Sequence, residues 1–120
     1  MIAGAIILFL ALNFVLRPYL YQRSAVKLVL RVLDAWNNGD LTNAYHAWEE
    51  PQQAPPVYNL TSYELLQKNF YQDQGTRHAE ILTDLQFPDD NITPSGEWIF
   101  HLKETRGGWK VVDFYQSPAI

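Results

Sequence analysis

Residues 97–115 read EWIFHLKETRGGWKVVDFY. Apolar and polar side chains alternate through Glu97 to Thr105 and again through Trp109 to Tyr115. That period of two belongs to strands with one buried face. Gly107-Gly108 between them is a two-residue hairpin signal, because tight hairpin turns use backbone angles that glycine adopts without steric cost. Pairing Arg106 with Trp109 sets Leu102 opposite Asp113 and Phe100 opposite Tyr115. One face then collects Trp98, Phe100, Leu102, Trp109, Val111 and Tyr115, with Asp113 among them. The reverse face has Ile99, His101, Lys103, Lys110, Val112 and Phe114. A slip of one residue exchanges the two faces, so the register decides which side the helices cover.

Working towards the N-terminus, Arg77 to Phe87 also alternates, with Ala79, Ile81, Leu85 and Phe87 on one side, and Pro88-Asp89-Asp90-Asn91 is a turn. Before Gly75 the spacing reads as helical. Thr61 and Glu64 stand at capping-box spacing, and Leu60 with Leu65 forms a hydrophobic staple, which together predict a helix from Ser62 to about Gln72. Pro51 to Asn59 holds three of the seven prolines and reads as a loop, with Val57-Tyr58 a candidate edge strand. Ser24 to Asn37 is a helix with Val26, Val29, Leu30, Leu33 and Trp36 at helical spacing. Gly39 stops it, and Asp40 or Thr42 caps a second, short helix bearing Leu41, Ala44, Tyr45 and Trp48, closed by Pro51. The expected fold is α+β: three helices packed on a curved antiparallel sheet of three to four strands, spanning residues 23–118.

Residues 1–22 read differently. Ile2 to Leu16 is apolar except for Asn13, and Arg17-Pro18-Tyr19-Leu20-Tyr21 follows. A membrane helix needs about 20 residues, which Ile2 to Tyr21 supplies if Arg17 snorkels and Tyr19 and Tyr21 sit at the interface. A cleaved signal peptide is the competing reading, but no positive n-region precedes the run and no A-x-A-like site follows it. Asn13 in such a helix is expected to face a neighbouring helix.

The net charge of −4 hides an asymmetry. Arg17, Arg23, Lys27 and Arg31 precede the first acid, Asp34, whereas from residue 32 onward five basic residues meet thirteen acidic ones. The basic collar suits anionic lipid headgroups, at roughly 1 kcal/mol per cation near the surface. The acidic remainder repels phosphate backbones, so no nucleic-acid partner is expected. By the positive-inside rule the domain faces the cytoplasm, in a single-pass protein of a bacterial inner membrane; the periplasmic side is the alternative. No Cys is present, which excludes disulfides and thiol chemistry. Hydrophobic residues at 48% are ample for a folded core.

The helical hairpin LRVLDAWNNGDLTNAYHAW (30–48) and the strand GGWKVVDF (107–114) resemble the opening and closing elements of the nuclear transport factor 2-like, or cystatin-like, superfamily. The resemblance covers roughly residues 24–116. It implies a sheet curled around a long helix, leaving a cone. Members include isomerases and dehydratases, and also membrane-anchored scaffolds and accessory domains. The shared motifs are packing motifs and carry no chemistry of their own.

Candidate chemistry is sparse. Asp113, on the aromatic face in the register above, is the best acid/base candidate, with His46 or Tyr45 assisting; the alternative is a carboxylate satisfied at the rim. His46, His78 and His101 show no local metal-ligand spacing, so neither a metal nor a cofactor is expected. Tyr58 and Tyr63 have nothing in their context to single them out from core or interface tyrosines. Asn59-Leu60-Thr61 and Asn91-Ile92-Thr93 match glycosylation sequons, which matter only in a eukaryotic secretory lumen. The loop PQQAPPVYN is either a contact element or a solvated connector. The expected role is a non-catalytic accessory or scaffolding subunit. It would stabilise a larger integral-membrane complex, with other subunits and membrane lipids as partners. An isomerase or hydrolyase using the cone is the alternative.

Overall fold

The computed structural model of the protein describes residue 20 and residues 22–118. Helix α1 (22–37) is followed by α2 (Leu41–Tyr45) and a 3-10 turn at Pro51–Gln53. Four strands then run as a meander, β1 (Ser62–Asp73), β2 (Thr76–Gln86), β3 (Gly96–Thr105) and β4 (Gly108–Gln116). They form one antiparallel sheet in the order β1-β2-β3-β4. The fold is α+β.

Ala25, Val29, Val32, Leu33 and Trp36 of α1 are buried, a helical stripe that lies on one face of the sheet. The stripe is rotated from the one expected: Leu30 is exposed and Val26 only half-buried. Gly39 has φ +76, the left-handed backbone that ends a helix, and Asp40 Oδ1 accepts from Asn43 N–H at 3.2 Å to cap α2. After α2, Trp48 bridges Val111 in parallel. Val111 N–H donates to Ala47 O at 2.8 Å and Glu49 N–H to Val111 O at 3.0 Å, so this segment covers part of the β4 edge.

The predicted third helix is a strand. Residues 62–73 form β1, and a bulge between Leu65 and Gln67 leaves Leu66 unpaired against β2. The extra residue breaks the alternation, so the half-buried side chains are Tyr63, Leu65 and Phe70, while Lys68 stays exposed. Thr61 does not cap a helix. Its N–H and Oγ1 both reach Gln86 O, at 2.9 and 2.8 Å, tying the start of β1 to the end of β2. Residues 57–58 form no strand, although Val57 is buried.

β2 behaves as its alternation requires, with Ala79, Ile81, Thr83 and Leu85 buried and Phe87 closing the row. Thr83 Oγ1 donates to Trp98 O at 2.9 Å, which satisfies the one polar side chain buried among the described residues.

The β3–β4 register corrects the hairpin. The turn is Arg106-Gly107, Thr105 pairs with Gly108, and Leu102 with Val111. A bulge at Val112 then advances the pairing, so His101 meets Asp113 and Phe100 meets Phe114. Phe114 points inward while Asp113 and Tyr115 go to the reverse face.

Among the described residues no helix is long and apolar enough to cross a membrane. The stretch expected to form the anchor, with Asn13, Arg17, Tyr19 and Tyr21, lies outside the described residues. Arg23 and Lys27, expected at the membrane interface, are exposed on α1.

Candidate functional site

The space between α1 and the sheet, where a cone would lie, is filled by rings. Trp36 stands 5.8 Å from Trp48, 5.8 Å from Phe100 and 5.2 Å from Phe114, centroid to centroid. Phe114 also stacks on Trp98 at 4.8 Å. Such pairs add about 0.5–1.5 kcal/mol each beyond their burial. Trp36 Nε1 is buried without a hydrogen-bond partner among the described residues.

The sequence-derived acid/base candidates do not converge there. Asp113 is exposed on the sheet face away from the helices, and its Oδ1 accepts from Phe114 N–H at 2.9 Å. His46 is exposed beside β4, where its backbone oxygen accepts from Lys110 Nζ at 3.1 Å. Tyr45 is half-buried at the end of α2. The three share no hydrogen bond among the described residues.

A different cluster forms on the outer face of the sheet. His78 Nδ1 lies 3.1 Å from His101 Nε2, and Tyr71 Oη lies 3.2 Å from that same nitrogen. The Tyr71 ring stacks on His78 at 5.2 Å, and its hydroxyl also approaches Glu80 Oε1 at 3.5 Å. Burial lowers the His101 pKa, the neighbouring His78 adds to this, and Glu80 and Asp113 oppose it. Burial also raises the Tyr71 and Tyr115 phenols, with the Glu80 carboxylate reinforcing both. The cluster can exchange protons among its members, but it lies on an open face. Alternation put His78 and His101 on polar faces. Their meeting depends on the β2–β3 register, which pairs His78 with Lys103 and His101 with Glu80 and so makes the histidines diagonal neighbours. Among the described residues no group of His, Cys, Asp and Glu could hold a metal.

Charge is sorted along the strands. Glu64, Asp84 and Glu97 are direct cross-strand neighbours on the outer face, near Asp89 and Asp90 in the β2–β3 loop. At the other end, where the β1–β2 and β3–β4 turns lie, Arg77, Lys103, Arg106 and Lys110 outnumber the acids Asp73 and Glu104, while Lys68 sits midway along β1. α1 brings Lys27 and Arg31 to that same end, where a groove of about 480 Å³ separates the helix from the β3–β4 turn. Arg77 pairs with Glu104 at 3.5 Å and Lys103 with Glu49 at 3.8 Å, all four side chains well exposed. Surface pairs of this kind contribute about 0–1 kcal/mol.

The two sequon asparagines meet in the fold. Asn59 Nδ2 donates to Asn91 Oδ1 at 3.0 Å, and Asn91 Nδ2 donates to Tyr58 O and Thr93 O at 3.2 and 3.1 Å. Both amides therefore act as loop fasteners, joining the segment before β1 to the β2–β3 loop.

Comparison with protein-family models, with curated proteins and with solved structures finds no match to this chain.

Proposed function

We propose that the chain is a membrane-anchored accessory subunit. In this reading a nuclear transport factor 2-like domain, carried by an N-terminal helix at residues 1–22, stabilises a larger integral-membrane complex without catalysing a reaction. One observation carries it: Trp36, Trp48, Phe100 and Phe114 occupy the space in which an enzyme on such a scaffold would hold its substrate. The best sequence candidate for acid/base work, Asp113, lies on the other side of the sheet. The apolar run Ile2 to Leu16 supports the anchor, and Asn13 within it supports a helix partner. Confinement to a membrane raises the effective concentration of both anchor and domain for one partner, so individually weak contacts suffice.

The test is extraction of the native membrane in mild detergent followed by size-exclusion chromatography. Co-migration with a larger membrane complex, lost on replacing Asn13 or on deleting residues 1–22, is the expected result. A clean monomer would count against the reading. So would a full-length chain that needs no detergent to stay in solution.

A further inference from the structure

We propose that the groove between α1 and the β3–β4 turn binds a phosphate group, with Lys27, Arg31 and Arg106 as its ligands. Lys27 and Arg31 are four residues apart on one helix face, and both line the groove. Arg106 reaches the same space from the turn, which no sequence spacing connects to the helix. None of the three forms an ion pair or a side-chain hydrogen bond among the described residues. The acid in the groove, Glu104, is already engaged with Arg77 at 3.5 Å. Three uncommitted cations thus share one concavity on a domain whose net charge is negative, an arrangement that repels the cations from one another until an anion enters.

The floor suits a phosphate as well. Gly107 and Gly108 follow Arg106, and Gly108 has φ +104, a conformation that side chains rarely adopt. Thr105 Oγ1 donates to Gly108 O at 2.7 Å and holds the turn in shape. With no Cβ at two successive positions, an oxyanion can approach the main chain closely. Two guanidinium groups each present a planar fork to two oxygens; a carboxylate has oxygens for one fork, whereas a phosphate has enough to engage both. The groove's volume of about 480 Å³ exceeds a single phosphate and accommodates a headgroup. The phosphate comes from an anionic lipid headgroup or from free phosphate, and the chemistry of recognition is the same. The inference stands apart from the accessory-subunit reading and does not require it.

The experiment uses the full-length chain in maltoside micelles, which carry no phosphate of their own, and follows the Gly107 and Gly108 amides by NMR. Inorganic phosphate and short-chain phosphatidylglycerol are titrated separately. A saturable shift of both glycines with either probe is expected, and whichever binds more tightly identifies the source. The triple variant K27Q/R31Q/R106Q should weaken that binding at least tenfold, while the indole resonances of the buried Trp36 and Trp48 stay in place as the check on folding. Unsaturable shifts with both probes overturn the proposal. Equal affinity in wild type and triple variant overturns it too.

Discussion

The Trp98 and Phe114 rings stack with centroids 4.8 Å apart and planes 10° from parallel. Their contact exists because the bulge at Val112 turns Phe114 inward, and the same turn carries Asp113 out to the solvent face. The two neighbours therefore have opposite sensitivities. Phe114→Ala should destabilise the domain by about 2 kcal/mol, less than a fully buried phenylalanine because the ring is half-buried. Asp113→Asn should change stability by less than about 0.5 kcal/mol. Urea unfolding of the full chain in mild detergent, followed by near-UV circular dichroism, checks both; a large Asp113→Asn effect with a silent Phe114→Ala would mean the continuous register holds instead.

Trp36 touches Trp48, Phe100 and Phe114, so Trp36→Ala empties the centre of the aromatic cluster. The loss should be about 3–5 kcal/mol, a large share of a small domain's stability. In the same urea assay the variant should have its midpoint shifted far down or show no folded baseline. A shift of only a few tenths of a molar would show that the rings are not tightly packed.

Gly39 has φ +76, and a Cβ built there meets nothing within 4 Å. Gly39→Ala should therefore cost about 1 kcal/mol from backbone strain alone, with no steric term. Thermal melts of the two proteins would show a Tm lower by several degrees; an unchanged or raised Tm would mean that the α1–α2 junction relaxes out of the left-handed region.

His101 is held below the ordinary imidazole value of 6.5 by burial and by His78. Its depressed pKa means that the unfolded chain takes up the proton first as pH falls. Stability should therefore be intact above about pH 7 and decline as pH drops through 6.5 towards the folded value. Denaturant midpoints between pH 7.5 and 5.5 measure the slope, and His101→Gln should flatten it. A slope unchanged in His101→Gln assigns the titration elsewhere.

Glu64, Asp84 and Glu97 lie side by side across β1, β2 and β3. Like charges directly opposite are destabilising, so Glu97→Lys should raise stability by about 0.5 kcal/mol, an effect that shrinks in high salt. Unfolding at low and at high ionic strength separates this relief of repulsion from a change in packing, which salt would leave alone.

Much of this was legible in the chain. The α1–α2 hairpin, its stop at Gly39, and the strands around Ala79, Ile81 and Leu85 and around Phe100 and Leu102 all follow from local backbone preference and periodicity. Two bulges were not legible. At Leu66 an extra residue broke the alternation and made β1 look helical, helped by a Thr61-Glu64 spacing that the fold uses differently. At Val112 another moved Asp113 out of the core and Phe114 into it. A bulge adds one residue to one strand, and whether it forms depends on what the partner strand and the facing helix present.

By itself the sequence determined which segments bury and which turn: α+β composition, two short-linked helices, a strand meander and an N-terminal apolar run, because these rest on contacts between residues near in the chain. Only the tertiary structure decided which side chains meet across it. His78 and His101 lie 23 positions apart, and Arg106 reaches Lys27 and Arg31 from a distant turn. Such meetings depend on strand register and on the angle at which a helix lies over a sheet, and neither is written in any local pattern of residues.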